Sequence, residues 1–209
     1  MTDAGVSERR TNRRGNATRE NMLKAAVKAL ASGDPGAVSA NKIARDIGAT
    51  WGAVKYQFGD NDGLWAAVLQ HTAERRADML TFTDTSAPLR QRVPDIIDTL
   101  YDGLTSTDSR AIENLRAALP RDHAELEQLY PRTAAELSSW GRGWLATCQN
   151  AFADLDVDPH RVAEVAELIP GAMRGITSER QLGTYADLDK ARRGLTNAIV
   201  AYLEDSRPQ

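Results

Sequence analysis

Between Ser39 and Phe58 two short runs with helical spacing are separated by a single glycine turn, and no other stretch constrains the fold as much. In the first, Ala40, Ile43, Ala44 and Ile47 recur at three and four, Lys42 and Arg45 point the other way, and Ser39 is placed to cap the N-terminus. Gly48 ends that run. Thr50 can cap the second, Trp51 to Phe58, in which Val54 and Phe58 share the inward side. Upstream, Met22, Leu23, Ala26, Val27 and Leu30 give a longer helix, Thr18 to Ala31, one apolar stripe, and Gly33-Asp34-Pro35-Gly36 stops it. Two short helices joined by Gly48-Ala49 behind a longer one form a helix-turn-helix pattern.

The rest of the chain keeps the helical period. After the break at Gly59-Asp60-Asn61, Asp62 opens a fourth helix favourably against its dipole, and apolar positions from Leu64 to Leu80 sustain it for about five turns. Val93, Ile96, Ile97, Leu100, Tyr101 and Leu104 give a further apolar face, with Pro94 near its start. Shorter helices are expected over 109–119 and 122–130, and a long one from Pro131 to Leu155. Asp158-Pro159 signals another start, followed by an apolar face with Pro170 inside it, and a last helix spans Asp187–Leu203. Strand alternation is missing throughout. The expected class is all-α, nine or ten helices in two regions.

Charge divides the chain in the same place as the pattern. The whole sequence has a net charge of -3, which points to no partner. Residues 1–60, however, carry ten Arg/Lys against six Asp/Glu, and residues 61–209 carry 16 against 23. A basic head on an acidic body suggests a chain that meets a polyanion at one end, although a modest asymmetry also arises on any solvated surface. Residues 1–16 lack apolar periodicity, hold Arg9, Arg10, Arg13 and Arg14, and read as a flexible basic arm; a merely solubilising tail is the alternative. The expected domains are this arm, the helix-turn-helix head over 17–60 and a body over 61–205. The single cysteine, Cys148, rules out an internal disulfide and suits a reducing cytosol. No run nears the roughly 20 apolar residues that cross a bilayer, so the expectation is a cytoplasmic protein without membrane contact.

The residues Ile43-Ala44, Gly48-Ala49-Thr50 followed by Gly52, then Phe58, then Asp62-Gly63-Leu64 resemble the N-terminal DNA-binding domain of TetR-family transcriptional repressors. The specific motif covers about 50 residues; over the rest the likeness is one of length and helix order. The resemblance implies that Thr50–Phe58 is a recognition helix in the major groove of a palindromic operator, with Thr50 capping it and holding a phosphate. It makes Trp51, Gly52, Ala53, Lys55 and Tyr56 the DNA-facing set, Gly52 permitting close approach, with Lys42, Arg13, Arg14 and Arg19 reaching phosphates or the minor groove. Lys55, Gln57 and Asn61 depart from the tyrosine, histidine and lysine common there, which leaves the operator sequence open.

For the body, the resemblance implies a homodimer through the last two helices. Val165, Ile169, Met173, Ile176, Leu195, Ile199, Val200 and Leu203 are the expected interface, with Gly171 and Gly175 allowing close approach. It also implies a cavity for a small, mostly apolar effector. His71, Met79, Phe82, Tyr101, Leu104, Trp140, Trp144, Cys148 and Met173 are its candidate lining, against the ordinary alternative that each is core. Ligand binding would shift the fourth helix, spread the two heads and release DNA.

Two other classes compete. An enzyme would need chemistry that the sequence does not group: His71, His123 and His160 are scattered, and HExxH, G-x-S-x-G and a glycine-rich phosphate loop with lysine are missing. No catalytic residue, metal or cofactor is expected. A helical scaffold whose basic head holds an acidic partner is the other alternative, separated from a DNA reader by sequence-selective duplex binding.

Overall fold

The computed structural model describes residues 4–34, 39–46, 48–77, 86–184 and 187–205, leaving aside the side chains of 4–14, 40, 76 and 77. These residues form ten α-helices: α1 (Ala4–Ala31), α2 (Ala40–Asp46), α3 (Trp51–Phe58), α4 (Asn61–Ala77), α5 (Leu89–Gly103), α6 (Thr107–Ala118), α7 (His123–Leu129), α8 (Pro131–Phe152), α9 (Pro159–Leu182) and α10 (Leu188–Glu204). No strand occurs among them. The all-α expectation holds.

α1 corrects one expectation. The basic segment read as an arm without periodicity is helical from Ala4 and continuous with the apolar stripe that follows. Glu8, Arg9, Arg10, Arg13 and Arg14 are good helix formers, no proline interrupts them, and a single Gly15 is tolerated. Lack of an apolar stripe removes a reason to bury a helix, not the propensity to form one.

The chain divides into two compact units, and the boundary expected at residue 60 is not where they part. The first comprises Met1–Glu74 and Thr107–Leu137; the second comprises Arg75–Ser106 and Ser138–Gln209. A three-helix head is small for an apolar core, and α6 extends it. α1 buries Met22, Leu23, Ala26, Val27 and Leu30, α6 buries Ala111, Ile112 and Leu115 and packs along α1, and Asn114 Nδ2 donates to the Leu30 carbonyl at 2.7 Å. α2 packs on α1 through buried Ile43 and Ala44, and α3 packs on α2.

The second unit has its own core. Val93, Ile96 and Ile97 of α5, Cys148 and Phe152 of α8, Val162, Val165, Ala166, Ile169, Met173 and Ile176 of α9, and Ile199, Val200 and Leu203 of α10 form one buried cluster. Buried Arg92 fastens the start of α5 to the end of α8, donating to the Ala151 carbonyl (2.7 Å), the Ala87 carbonyl (2.8 Å) and the Asp154 carboxylate (3.0 Å). The Arg92 guanidinium in turn holds the Asp154 carboxyl below the usual carboxylate range. Pro170 lies inside α9 and has no N–H to give the carbonyl one turn back, Ala166. Trp144 Nε1 donates to that carbonyl at 2.7 Å. A side chain of α8 thus fills the backbone bond that the proline removed.

Candidate nucleic-acid interface

Capping and one left-handed glycine set the angle between α2 and α3. Ser39 Oγ accepts from the Lys42 amide at 3.4 Å, and Thr50 Oγ1 accepts from the Ala53 amide at 3.2 Å, so each short helix has the N-cap its sequence signals. Gly48 turns the chain with φ +66°, a region where a Cβ is strained, and the Ala49 amide closes the turn onto the Ala44 carbonyl at 2.8 Å.

α3 then presents two unlike sides. Val54 and Phe58 are buried at 1% and 6% exposure, the inward side the spacing indicates. Trp51, Gly52, Lys55 and Tyr56 are exposed, and Ala53 and Gln57 are half-buried. Tyr56 is 87% exposed, the highest value among the exposed large hydrophobic residues described. A Cβ at Gly52 would meet only Thr50 Oγ1 at 3.7 Å, so internal packing does not demand glycine there.

Not every cation assigned to DNA stands free. Lys42 Nζ lies 3.3 Å from Asp34 and 3.4 Å from Asp46, and hydrogen bonds to these two carboxylates raise its pKa. Asp34 and Lys42 are eight positions apart, so helical spacing does not reveal the pair. Arg19 lays its guanidinium over the Phe58 ring, 5.2 Å from the centroid, so it braces α3. The side chains of Arg13 and Arg14 lie outside the described residues.

Behind α3 lies an open cleft of about 330 Å³, lined among others by Arg19, Gln57, Phe58, Gln70, Arg132 and Glu136. None of the residues proposed from sequence to line an effector cavity borders it. Asp62 of α4 is buried beside it and accepts from the Arg132 amide (2.9 Å), the Thr133 amide (2.8 Å) and Thr133 Oγ1 (2.8 Å). Burial by itself would raise its pKa. The hydrogen bonds from Thr133 and Arg132 outweigh that and hold the carboxyl below its ordinary value.

The other predicted sites fare differently. His71 belongs to the first unit, buried, with Nδ1 3.7 Å from Glu20 and Nε2 without a hydrogen-bond partner. Tyr101, Leu104 and Trp144 pack against the core of the second unit, while Cys148 and Met173 are inside it. Burial pushes the Cys148 thiol up to about 12. Tyr101 has the Arg180 and Arg192 guanidinium groups over its ring at 5.7 and 5.0 Å. Trp140 is half-buried and its Nε1 has no hydrogen-bond partner. Met79 and Phe82 lie outside the described residues. Of the residues expected at a dimer interface, Val165, Ile169, Met173, Ile176, Ile199, Val200 and Leu203 are at most 8% exposed within a single chain, and half-buried Leu195 packs against them. An apolar stripe goes first to the chain's own core. The exposed residues of α9 include Leu168, Gly171, Gly175 and Leu182 beside Glu164, Glu167, Arg174 and Arg180, and those of α10 include Gly194, Ala198 and Ala201 beside Arg193 and Asn197.

Among the described residues, no group of three or more His, Cys, Asp or Glu is placed to hold a metal ion, and no helix is long and apolar enough to cross a membrane.

No family sequence model matches the chain, and no curated protein matches it in sequence. Solved structures do match. A transcriptional regulator from Rhodococcus sp. Rha1 superimposes with a TM-score of 0.70 at 16% identity, covering 91% of this chain and 99% of its own. A TetR-family transcriptional regulator from Streptomyces coelicolor gives 0.65 at 16% identity, with 92% and 90% covered. NalD of Pseudomonas aeruginosa, the secondary repressor of the MexAB-OprM multidrug efflux pump, gives 0.64 at 19% identity, with 92% and 100% covered. The chain has the fold of the TetR-family transcriptional regulators.

Proposed function

We propose that the chain is a ligand-responsive transcriptional regulator that binds a palindromic DNA operator as a homodimer and is released from it by a small molecule. The observation that carries the reading is the outward face of α3, where Trp51, Lys55 and Tyr56 stand exposed on a helix whose opposite side is anchored by Val54 and Phe58. Aromatic side chains facing water on a short, firmly seated helix indicate a surface kept for a partner. Lys55 and Tyr56 reach base edges or phosphates, the α3 N-terminus at Thr50 receives a phosphate, and Gly52 lets the duplex come close. Lys42 contributes only by exchanging one of its carboxylates for phosphate. Steric repression is the mode that fits a protein folded like NalD, itself a repressor.

Two copies meet through the small outward residues of α9 and α10, Gly171, Gly175, Gly194, Ala198 and Ala201, flanked by Leu168 and Leu182. Successive major grooves of a palindromic duplex lie about 34–36 Å apart, the separation that two recognition helices must match. The effector is placed near Trp140 of the second unit, whose half-buried indole N–H is unpartnered and offers one polar handle.

Selection from a random duplex library tests the reading. Enrichment of an inverted repeat whose binding weakens steeply with salt supports it. Retention that ignores sequence would favour the scaffold with a polyanion-binding head. The effector role is tested by adding compounds to the protein–operator complex: one that binds without changing operator affinity is not an effector.

A further inference from the structure

The end of the recognition helix is held by a residue from α8. Arg132, the second residue of that helix, sends its guanidinium over the α3–α4 turn. Its Nη1 donates to the Phe58 carbonyl at 3.3 Å, its Nη2 donates to the Asp60 carboxylate, and its Nε donates to Asp62 at 3.2 Å. Phe58 closes α3, so its carbonyl is one of the acceptors that a helix end leaves without an intrahelical donor. The grip is reciprocal. Asp62 takes the backbone amides of Arg132 and Thr133, two of the donors orphaned at the start of α8. One helix end and one helix start therefore satisfy each other through residues about 70 positions apart.

Gly63 shows how close the fit is. A Cβ there would overlap the Phe58 carbonyl oxygen and lie 2.5 Å from Arg132 Nη1. Arg132 itself does not build core, because its side chain is 49% exposed and borders the open cleft. What it fixes is the last turn of α3, and that turn carries Lys55 and Tyr56.

We propose that Arg132 is a positioning residue for DNA recognition: by tying Phe58 and Asp60 to the start of α8 it holds Lys55 and Tyr56 at the angle the groove requires. The inference rests on the reading of α3 as the DNA reader. It assigns Arg132 no phosphate of its own, since its guanidinium is already committed to the Phe58 carbonyl, Asp60 and Asp62. The latch governs selectivity rather than general attraction to DNA.

The test uses the full-length chain, a duplex selected by the wild type and a scrambled duplex of equal length, over a salt series. R132Q is expected to weaken the selected duplex at least about fivefold, the scale of one lost base contact, with little change on the scrambled one. The slope of affinity against salt should stay as in the wild type, and R132K should fall between the two. D60N is the second variant: asparagine still caps the Gly63 amide that Asp60 Oδ1 receives at 2.9 Å but forfeits the ion pair, so folding is retained. It should shift selectivity the same way. An unchanged ratio of selected to scrambled affinity in both variants overturns the proposal. So does an equal loss on both duplexes with the salt slope reduced by about one, the mark of a phosphate contact. A wild type that prefers no duplex sinks the DNA-reader reading first, and the latch with it.

Discussion

The outward faces of α3 and α9 make opposite use of exposure. α3 is eight residues long, buries only Val54 and Phe58, and turns a tryptophan, a lysine and a nearly naked tyrosine to solvent. α9 is 24 residues long, buries eight of them, and shows solvent glycines flanked by Leu168 and Leu182. A large, rigid, polar-tipped side chain suits an irregular surface that must be read, such as a row of base edges. A small side chain suits another helix, because only its absence lets two backbones approach. The inward residues of both helices belong to folding; the proposed function gives the outward ones to partners.

Substitutions on either side of each helix can break that division. The largest effect is expected from Ile169→Ala on the inward side of α9. It removes a side chain that is 3% exposed and should cost about 2–5 kcal/mol of unfolding free energy in a denaturant titration. A loss of self-association at unchanged stability would show that the residue faces a partner after all. Next comes Gly175→Glu on the outward side. A Cβ there meets nothing within 4 Å, so the single chain should tolerate it, while an unpaired charge in the interface weakens dimerisation by ~2 kcal/mol or more. Analytical ultracentrifugation reads it, and an unchanged dimer would move the interface elsewhere.

Tyr56→Ala sharpens the other half of the contrast. It should lower operator affinity by about 1–3 kcal/mol, the worth of a good base contact, while unfolding stays within ~0.5 kcal/mol of wild type. A stability loss without an affinity loss would make Tyr56 structural. The smallest effect is a pH dependence from the turn that ends α3. The Asp62 pKa is depressed in the fold, so its stabilisation is complete above the ordinary carboxylate range and is lost as pH falls through the folded value. Comparing wild type with Asp62→Asn between pH 7 and 3 should show a shallower acid limb in the variant; parallel curves would deny Asp62 that role.

Local signals in the sequence were legible and distant ones were not. Ser39, Gly48 and Thr50 mark the ends of α2 and α3 because capping and left-handed turns are settled within a few residues, and Asp158-Pro159 marks α9 for the same reason. Val54 and Phe58 follow from helical period alone. Lys42 looked free because Asp34, its partner, lies eight positions back on no shared helix. Arg132 passed unnoticed because nothing near it in sequence shows that Phe58, Asp60 and Asp62 lie under it. The residues expected at a dimer interface were read from period, which also marks core. Periodicity finds the most apolar stripe on α9, and that stripe is claimed by α5, α8 and α10.

The bond from Trp144 to the Ala166 carbonyl imposes an order on change. With Pro170 in place, Trp144→Phe leaves a carbonyl without its donor, at about 1–3 kcal/mol if no water reaches it. Once Pro170 has become alanine, the new backbone N–H can take the carbonyl, and the same loss of the indole donor is far milder. The two sites are therefore epistatic. A lineage carrying this chain can shed the proline and then the tryptophan in two tolerable steps, whereas the reverse path crosses a stability valley, so the pair should be lost together or in that sequence.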